Sequence, residues 1–114
     1  MSEDCLFCAI AGGEADADVV AESGGWVAIR DINPQAPVHV LVIPREHVES
    51  LEELEDGHRE LAGELLLAVR RVADSEELGG SYRVVVNTGA RAGQTVPHLH
   101  LHVLGGRAMR WPPG

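Results

Sequence analysis

The chain has 114 residues, 45% hydrophobic and 24% charged, with a formal net charge of −9 from 9 basic and 18 acidic residues. That length and apolar content describe one folded domain with a single core and exclude a disordered chain. The acidic balance excludes a broad phosphate-neutralising surface for nucleic acid, though a small nucleotide still fits a locally basic pocket.

The first residues, Met-Ser-Glu-Asp-Cys, are acidic and are followed by no long apolar segment. No signal peptide or membrane span is therefore expected, and the expected location is the cytoplasm. Both cysteines lie in one Cys5-x-x-Cys8 pair. Without an export signal, that spacing favours metal or redox chemistry over a structural disulfide. Residues 4–11 read as a short helix, with Asp4 as N-cap, Leu6, Phe7 and Ile10 as an apolar stripe, and Gly12-Gly13 as its stop. Residues 19–22 and 26–30 are the arms of a hairpin turned at Ser23-Gly24-Gly25.

Residues 31–37 hold two prolines and read as a loop. Residues 38–43 form a strand closed by Pro44. It carries His39, Leu41 and Ile43 on one face and Val38, Val40 and Val42 on the other. Two largely apolar faces make it a central strand. His39 is then either a satisfied core histidine or a functional one. The acidic run 49–56 reads as a solvated turn. A helix follows over 57–77, with His58, Leu61, Ala62, Leu65, Leu66, Val69, Val72 and Ala73 spaced by three and four and Gly79-Gly80 as its end. Residues 82–87 form the next strand, and 88–93 a glycine-rich loop.

That loop leads into the stretch on which the chain is organised, Gly93-Gln94-Thr95-Val96-Pro97-His98-Leu99-His100-Leu101-His102-Val103-Leu104. Read as a strand, it turns three imidazoles to one face and Leu99, Leu101 and Val103 to the other. The aliphatic face buries against a helix. The histidine face fronts an anion or a metal, and Gly-Gln-Thr supplies donors for phosphate oxygens. No repeat or linker divides residues 1–114, so the expectation is one α+β domain with a mainly antiparallel sheet.

The run His98-Leu-His100-Leu-His102-Val103-Leu104 follows the pattern His-φ-His-φ-His-φ-φ, with φ hydrophobic, and resembles the histidine triad superfamily. Residues 31–44, 82–87 and 103–114, which end in Trp111-Pro-Pro-Gly114, resemble its nucleotide-binding branch. That ending sets the chain apart from the diadenosine-polyphosphate hydrolase branch. The resemblance implies a five-stranded antiparallel sheet with two helices, joined into a ten-stranded sheet in a homodimer. Residues 105–114 would form a tail docking on the partner subunit.

The activity implied is hydrolysis of purine nucleoside 5′-monophosphoramidates and related mixed adenylates through a nucleotidylated histidine. His100 matches the nucleophile, and His39, His98 and His102 match its supporting histidines. Asp31 matches a ribose-binding acid. Leu6, Phe7, Ile10, Ile29 and Ile32 match base-pocket positions, and Asn87, Gly93 and Gln94 match phosphate contacts. Trp111 belongs to the tail expected near the other subunit's site. Thr95 departs from the serine usual there, keeping the hydroxyl but adding a stiffening β-branch. Relatives that contain zinc suggest one structural zinc on Cys5, Cys8, His47 and His98, a sound tetrahedral set. The plainer alternative is two reduced cysteines packed as small hydrophobes.

Elementary chemistry agrees with the implied reaction. A phosphoramidate has an anionic phosphorus and a poor amine leaving group. A covalent intermediate splits its hydrolysis into two easier displacements, and neutral imidazole is a competent nucleophile at pH 7. No divalent metal is needed for this. On an ideal strand, only His100 has an imidazole on both sides. Three rival readings are a catalytic metal on the triad itself, a non-enzymatic nucleotide-binding protein of the same fold, and cleavage of dinucleoside polyphosphates.

Overall fold

Apolar alternation on two strands builds the centre of the molecule. The computed structural model describes residues 5–114. In it, β3 (Val38–Pro44) and β5 (Leu101–Gly105) pair antiparallel in the middle of a five-stranded sheet. Outside them lie β1 (Val19–Glu22), β2 (Trp26–Arg30) and β4 (Tyr82–Val85), giving the order β1-β2-β3-β5-β4 with every neighbour antiparallel. The register sets His39 opposite Leu104 and Leu41 opposite His102.

Each face of β3 buries its own core, as its two apolar faces require. Val40 and Val42, with Ala28, Leu101 and Val103, pack on Leu65, Ala68, Val69 and Val72 of α2 (Arg59–Ser75). Leu41 and Ile43, with Val27 and Ile29, pack on Phe7 and Ile10 of α1 (Leu6–Ala11). Burying each valine, leucine, isoleucine or phenylalanine among them contributes about 1.5–3 kcal/mol. The short α1 therefore sits on the sheet through side-chain burial more than through helix propensity.

Several boundaries differ from the sequence expectation. The helix over 4–11 begins at Leu6, and its N-cap is Cys5, whose sulfur accepts from the Cys8 N–H at 3.3 Å. The Asp4 cap lies outside the described residues. The strand at 38–43 includes Pro44, which pairs with Trp26. The helix expected over 57–77 spans 59–75. Its buried stripe runs Leu65, Ala68, Val69, Val72, Ala73, whereas Leu66 is 63% exposed. The buried residues fall at i, i+3, i+4, i+7 and i+8, which includes Ala68 and leaves Leu66 off the stripe; hydrophobicity alone does not say which of three consecutive leucines faces inward. His58 precedes the helix in a 3₁₀ turn, with a second turn at Leu51–Glu53. β4 stops at Val85 instead of Asn87.

The histidine stretch is a strand only from Leu101 onward. Residues 98–100 approach the sheet through a bend at His98 and without regular pairing, and the Leu99 N–H donates to the Val48 carbonyl at 2.6 Å. Alternation survives this departure: Leu99 enters the same core as Leu101 and Val103. After β5 the chain carries no regular structure, and Trp111 is 82% exposed. No helix among the described residues is long and apolar enough to cross a membrane.

Candidate active site

Four histidines converge on one side of the sheet centre. His39 comes from β3, His102 from β5, and His98 and His100 from the segment that leads into β5. His98 is completely buried, His39 and His100 are buried, and His102 is half-buried. Phe7 of α1 closes over them, its ring edge-on to His100 at 4.9 Å and to His98 at 6.0 Å.

The protonation pattern follows from the partners each ring nitrogen meets. His100 Nδ1 lies 2.7 Å from the His98 carbonyl oxygen, which can only accept, so Nδ1 carries the proton. In neutral imidazole this leaves a lone pair on Nε2. The ring centroid of His102 stands 5.0 Å from that of His100.

A second chain of bonds orients His102. The Gln35 N–H donates to His39 Nδ1 at 3.1 Å, so neutral His39 bears its proton on Nε2. That nitrogen is 2.9 Å from His102 Nδ1 and donates to it, which leaves His102 with its N–H at Nε2. Burial pushes the pKa of His39 down, with the Asp31 carboxylate opposing. Burial, together with His100 and His39 as neighbours, pushes that of His102 down to about 4. Both rings are thus neutral at pH 7. Asp31, 3.5 Å from His39 Nε2, is a carboxylate beside a neutral donor and makes no ion pair with it.

His98 serves a different set of groups. Its Nε2 donates to the Pro44 carbonyl at 2.8 Å, which strips Nδ1 of its proton. That Nδ1 lies 3.2 Å from Cys5 Sγ, 3.5 Å from Cys8 Sγ and 3.2 Å from His47 Nδ1. His47 Nδ1 is in turn 3.2 Å from Cys8 Sγ, and all four atoms lie within 4.8 Å of one another. A tetrahedron with zinc bond lengths of about 2.0–2.3 Å has edges of roughly 3.3–3.8 Å, so these separations need only small adjustment. Two thiols and two imidazoles aimed at one point, one with its lone pair held by a backbone carbonyl, fit zinc. Burial and the adjacent Cys5 push the Cys8 thiol up to about 11, so without a cation it stays protonated.

Asp31, His39 and His102 form the other grouping of ligand-type residues among those described. Here the outer contacts oppose a metal. The Gln35 N–H occupies His39 Nδ1 and holds a proton, not a lone pair, at the Nε2 facing the group. A metal on this group therefore fits poorly, and His98, His100 and His102 together form no such grouping among the described residues.

The remaining expected residues divide. Phe7, Ile10 and Ile29 are buried together, whereas Leu6 is exposed and Ile32 stands fully out from the surface at 101%. The Gln94 amide is engaged by backbone, accepting from Gly89 N–H and donating to the carbonyls of Glu49 and Val96. It holds the loop, and its side chain has no N–H left for a phosphate. Thr95 is exposed and Asn87 half-buried against Gly93, whose φ is +99°. Sequence reasoning missed Gln35, Pro44 and the carbonyl of His98, since backbone groups carry no residue signature. It missed Phe7 as a wall against His98 and His100 because two separate elements bring them together.

Comparison with known proteins bears on this arrangement. The family model described as HIT domain matches residues 12–109. An uncharacterized HIT-like protein of Synechococcus elongatus is 51% identical over 114 residues, the whole of both chains. The crystal structure of a HIT family hydrolase from Legionella pneumophila is similar with a TM-score of 0.95 and 46% identity, covering 97% of this chain and 100% of that one. A zinc-bound histidine triad family protein from Mycobacterium smegmatis is similar with a TM-score of 0.81 and 34% identity, covering 91% of this chain and 76% of that one.

Proposed function

This chain belongs to the HIT domain family, and on that premise we propose that it hydrolyses purine nucleoside 5′-monophosphoramidates and related mixed adenylates. His100 Nε2 attacks the α-phosphorus and the P–N bond breaks, with the amine leaving as it takes up a proton. Water then displaces the nucleotide from His100. The observation that carries the reading is the bond from His100 Nδ1 to the His98 carbonyl, which leaves a lone pair on Nε2 of a buried, oriented ring. A fixed nucleophile loses little orientational freedom on reaction. The N–H of His102 at Nε2, held there by His39, is a donor for phosphate oxygens that gain charge in the transition state. Similarity to a protein named a HIT family hydrolase supports the reaction class.

Phe7, Ile10 and Ile29 floor the base pocket, Asp31 binds ribose, and Asn87, Gly93 and Thr95 face the phosphate. The chain works as a cytoplasmic homodimer, with residues 105–114 docking near the partner's site. Cys5, Cys8, His47 and His98 hold a structural zinc that ties α1 to the sheet, and no step of the reaction passes through it.

A kinetic panel of adenosine and guanosine phosphoramidates, a lysyl-type adenylate and a dinucleoside polyphosphate tests the proposal, each run with and without chelator. The expected result is turnover of the phosphoramidates that survives chelation. Exclusive cleavage of the polyphosphate, or loss of all turnover with chelator at an unchanged melting temperature, would overturn it.

A further inference from the structure

We propose that Arg107 is a positioning residue for the pair His39–His102, acting through the backbone of Gln35; the kinetic part of this inference rests on the hydrolase reading. Arg107 Nη2 donates to the Gln35 carbonyl at 3.0 Å, across 72 residues of chain. The Gln35 N–H in turn donates to His39 Nδ1, and His39 Nε2 meets His102 Nδ1. Residue 35 is therefore gripped on both sides, by the guanidinium at its carbonyl and by the imidazole at its N–H. These groups belong to successive peptides, so the effect is positional: Arg107 holds residue 35 where its N–H can reach the ring.

The approach of the tail to this loop is built in. Gly106 has φ +91°, and a Cβ there would stand 2.9 Å from Pro37 Cβ. Glycine permits both the turn and the contact. Arg107 is also tied to its own segment, with Nη1 donating to the Ala108 carbonyl at 3.0 Å. On the loop side, the Gln35 amide donates to the Asn33 carbonyl and the Asn33 N–H to Asp31 Oδ1. The guanidinium thus joins a braced loop to a braced tail.

The consequence is a choice of tautomer. If the Gln35 N–H withdraws, His39 is free to carry its proton on Nδ1. Its bare Nε2 would then face the bare Nδ1 of His102 at 2.9 Å. Two lone pairs at that distance repel, so His102 must move its proton to Nδ1. It would then present a lone pair where the substrate phosphate needs a donor. Asp31, beside His39 Nε2, favours the proton-bearing form of that nitrogen but does not reach Nδ1.

The test compares wild type, Arg107→Met and Arg107→Lys, using side-chain nitrogen NMR of the substrate-free protein at pH 7 and steady-state kinetics on an adenosine phosphoramidate. Wild type should show His39 and His102 protonated at Nε2 alone. Arg107→Met should populate the Nδ1-protonated form of His39, and Arg107→Lys should fall between. Losing a charge-assisted bond that acts at one remove should lower kcat about five- to tenfold with KM within about twofold. Unaltered tautomers in Arg107→Met, whatever its kinetics, would overturn the proposal. A tautomer change in a wild-type background that turns over no phosphoramidate would support the clamp while sinking the hydrolase reading.

Discussion

His98 meets His100 with its carbonyl oxygen, 2.7 Å from His100 Nδ1, while both nitrogens of its own ring are engaged elsewhere. One residue thus links the sulfur–nitrogen cluster to the orientation of the proposed nucleophile. If zinc fills that cluster, it fixes the His98 ring and with it the carbonyl. Protein purified without added metal should contain close to one equivalent of zinc per chain, and stripping it should lower the melting temperature. Less than about a tenth of an equivalent, with no thermal gain on adding zinc, would discard the site, since a tetrahedral Cys₂His₂ set binds tightly. The similarity to a zinc-bound histidine triad protein supports the expectation.

Stability should fall on acidification through the histidine range. Burial lowers the pKa of His39 and His98, and lowers that of His102 from 6.5 to about 4. Between those values the unfolded chain takes up protons that the folded chain refuses. Unfolding is then favoured as pH drops, and stability is recovered above 6.5. Melting curves from pH 7.5 to 4.5 should show this loss. A His102→Asn variant should show a shallower slope over the same window. Equal slopes would mean that His102 titrates normally in the folded state.

The sheet and its helices were legible because their signals are periodic. The two-faced hydrophobicity of 38–44 placed β3 at the centre, and the alternation of 99–103 oriented the histidines even where regular pairing is absent. The metal-type cluster was legible through resemblance, and the structure brings all four residues together. His98 was misread in one respect. An ideal strand would range its ring beside His100, but the chain bends at Val96–His98, where the His98 N–H donates to the Val96 carbonyl, and the ring turns to Pro44 and the cysteines. Gln94 shows the complementary limit. An amide in a glycine-rich loop suggests phosphate, yet here it pairs with the Gly89 N–H and the Glu49 carbonyl and adds a second bond to the Val96 carbonyl, which also accepts the His98 N–H.

The tail should act between subunits. Trp111 is 82% exposed on its own chain, so a hydrophobic ring of that size has no local core. Arg83 Nη2 on the edge strand β4 donates to the Arg110 carbonyl at 2.8 Å and ties the segment to that edge. Pro112-Pro113 limits the backbone freedom lost on docking. Removing residues 109–114, which spares Arg107, should change the preference among leaving groups more than it changes the melting temperature. Light scattering should give a dimer at micromolar concentration, and a monomer would refute this account at its first step.

His100→Asn addresses the chemistry most directly. Asparagine keeps approximate size and a hydrogen-bond donor but removes the ring nitrogen that forms the bond to phosphorus. If the reaction passes through a nucleotidylated His100, kcat should fall by about 10³-fold or more, on the order of 4 kcal/mol of barrier. Nucleotide binding should persist, because the proposed base and ribose contacts, Ile10, Ile29 and Asp31, are untouched. His102→Asn should be milder, since it removes a donor to the phosphate and not the attacking atom. The folded state should tolerate the change poorly but not collapse: His100 is buried, yet its main polar contact is one bond to the His98 carbonyl, which an asparagine amide can approach. Melting temperature therefore separates lost chemistry from lost fold. The decisive measurement is a quenched wild-type reaction with an α-labelled phosphoramidate, mapped under conditions that preserve phosphohistidine. Label on the peptide carrying His100, absent from the variant, is the expected result. Label on any other residue, or near-wild-type turnover by His100→Asn, would remove His100 from the role that its bond to His98 prepares.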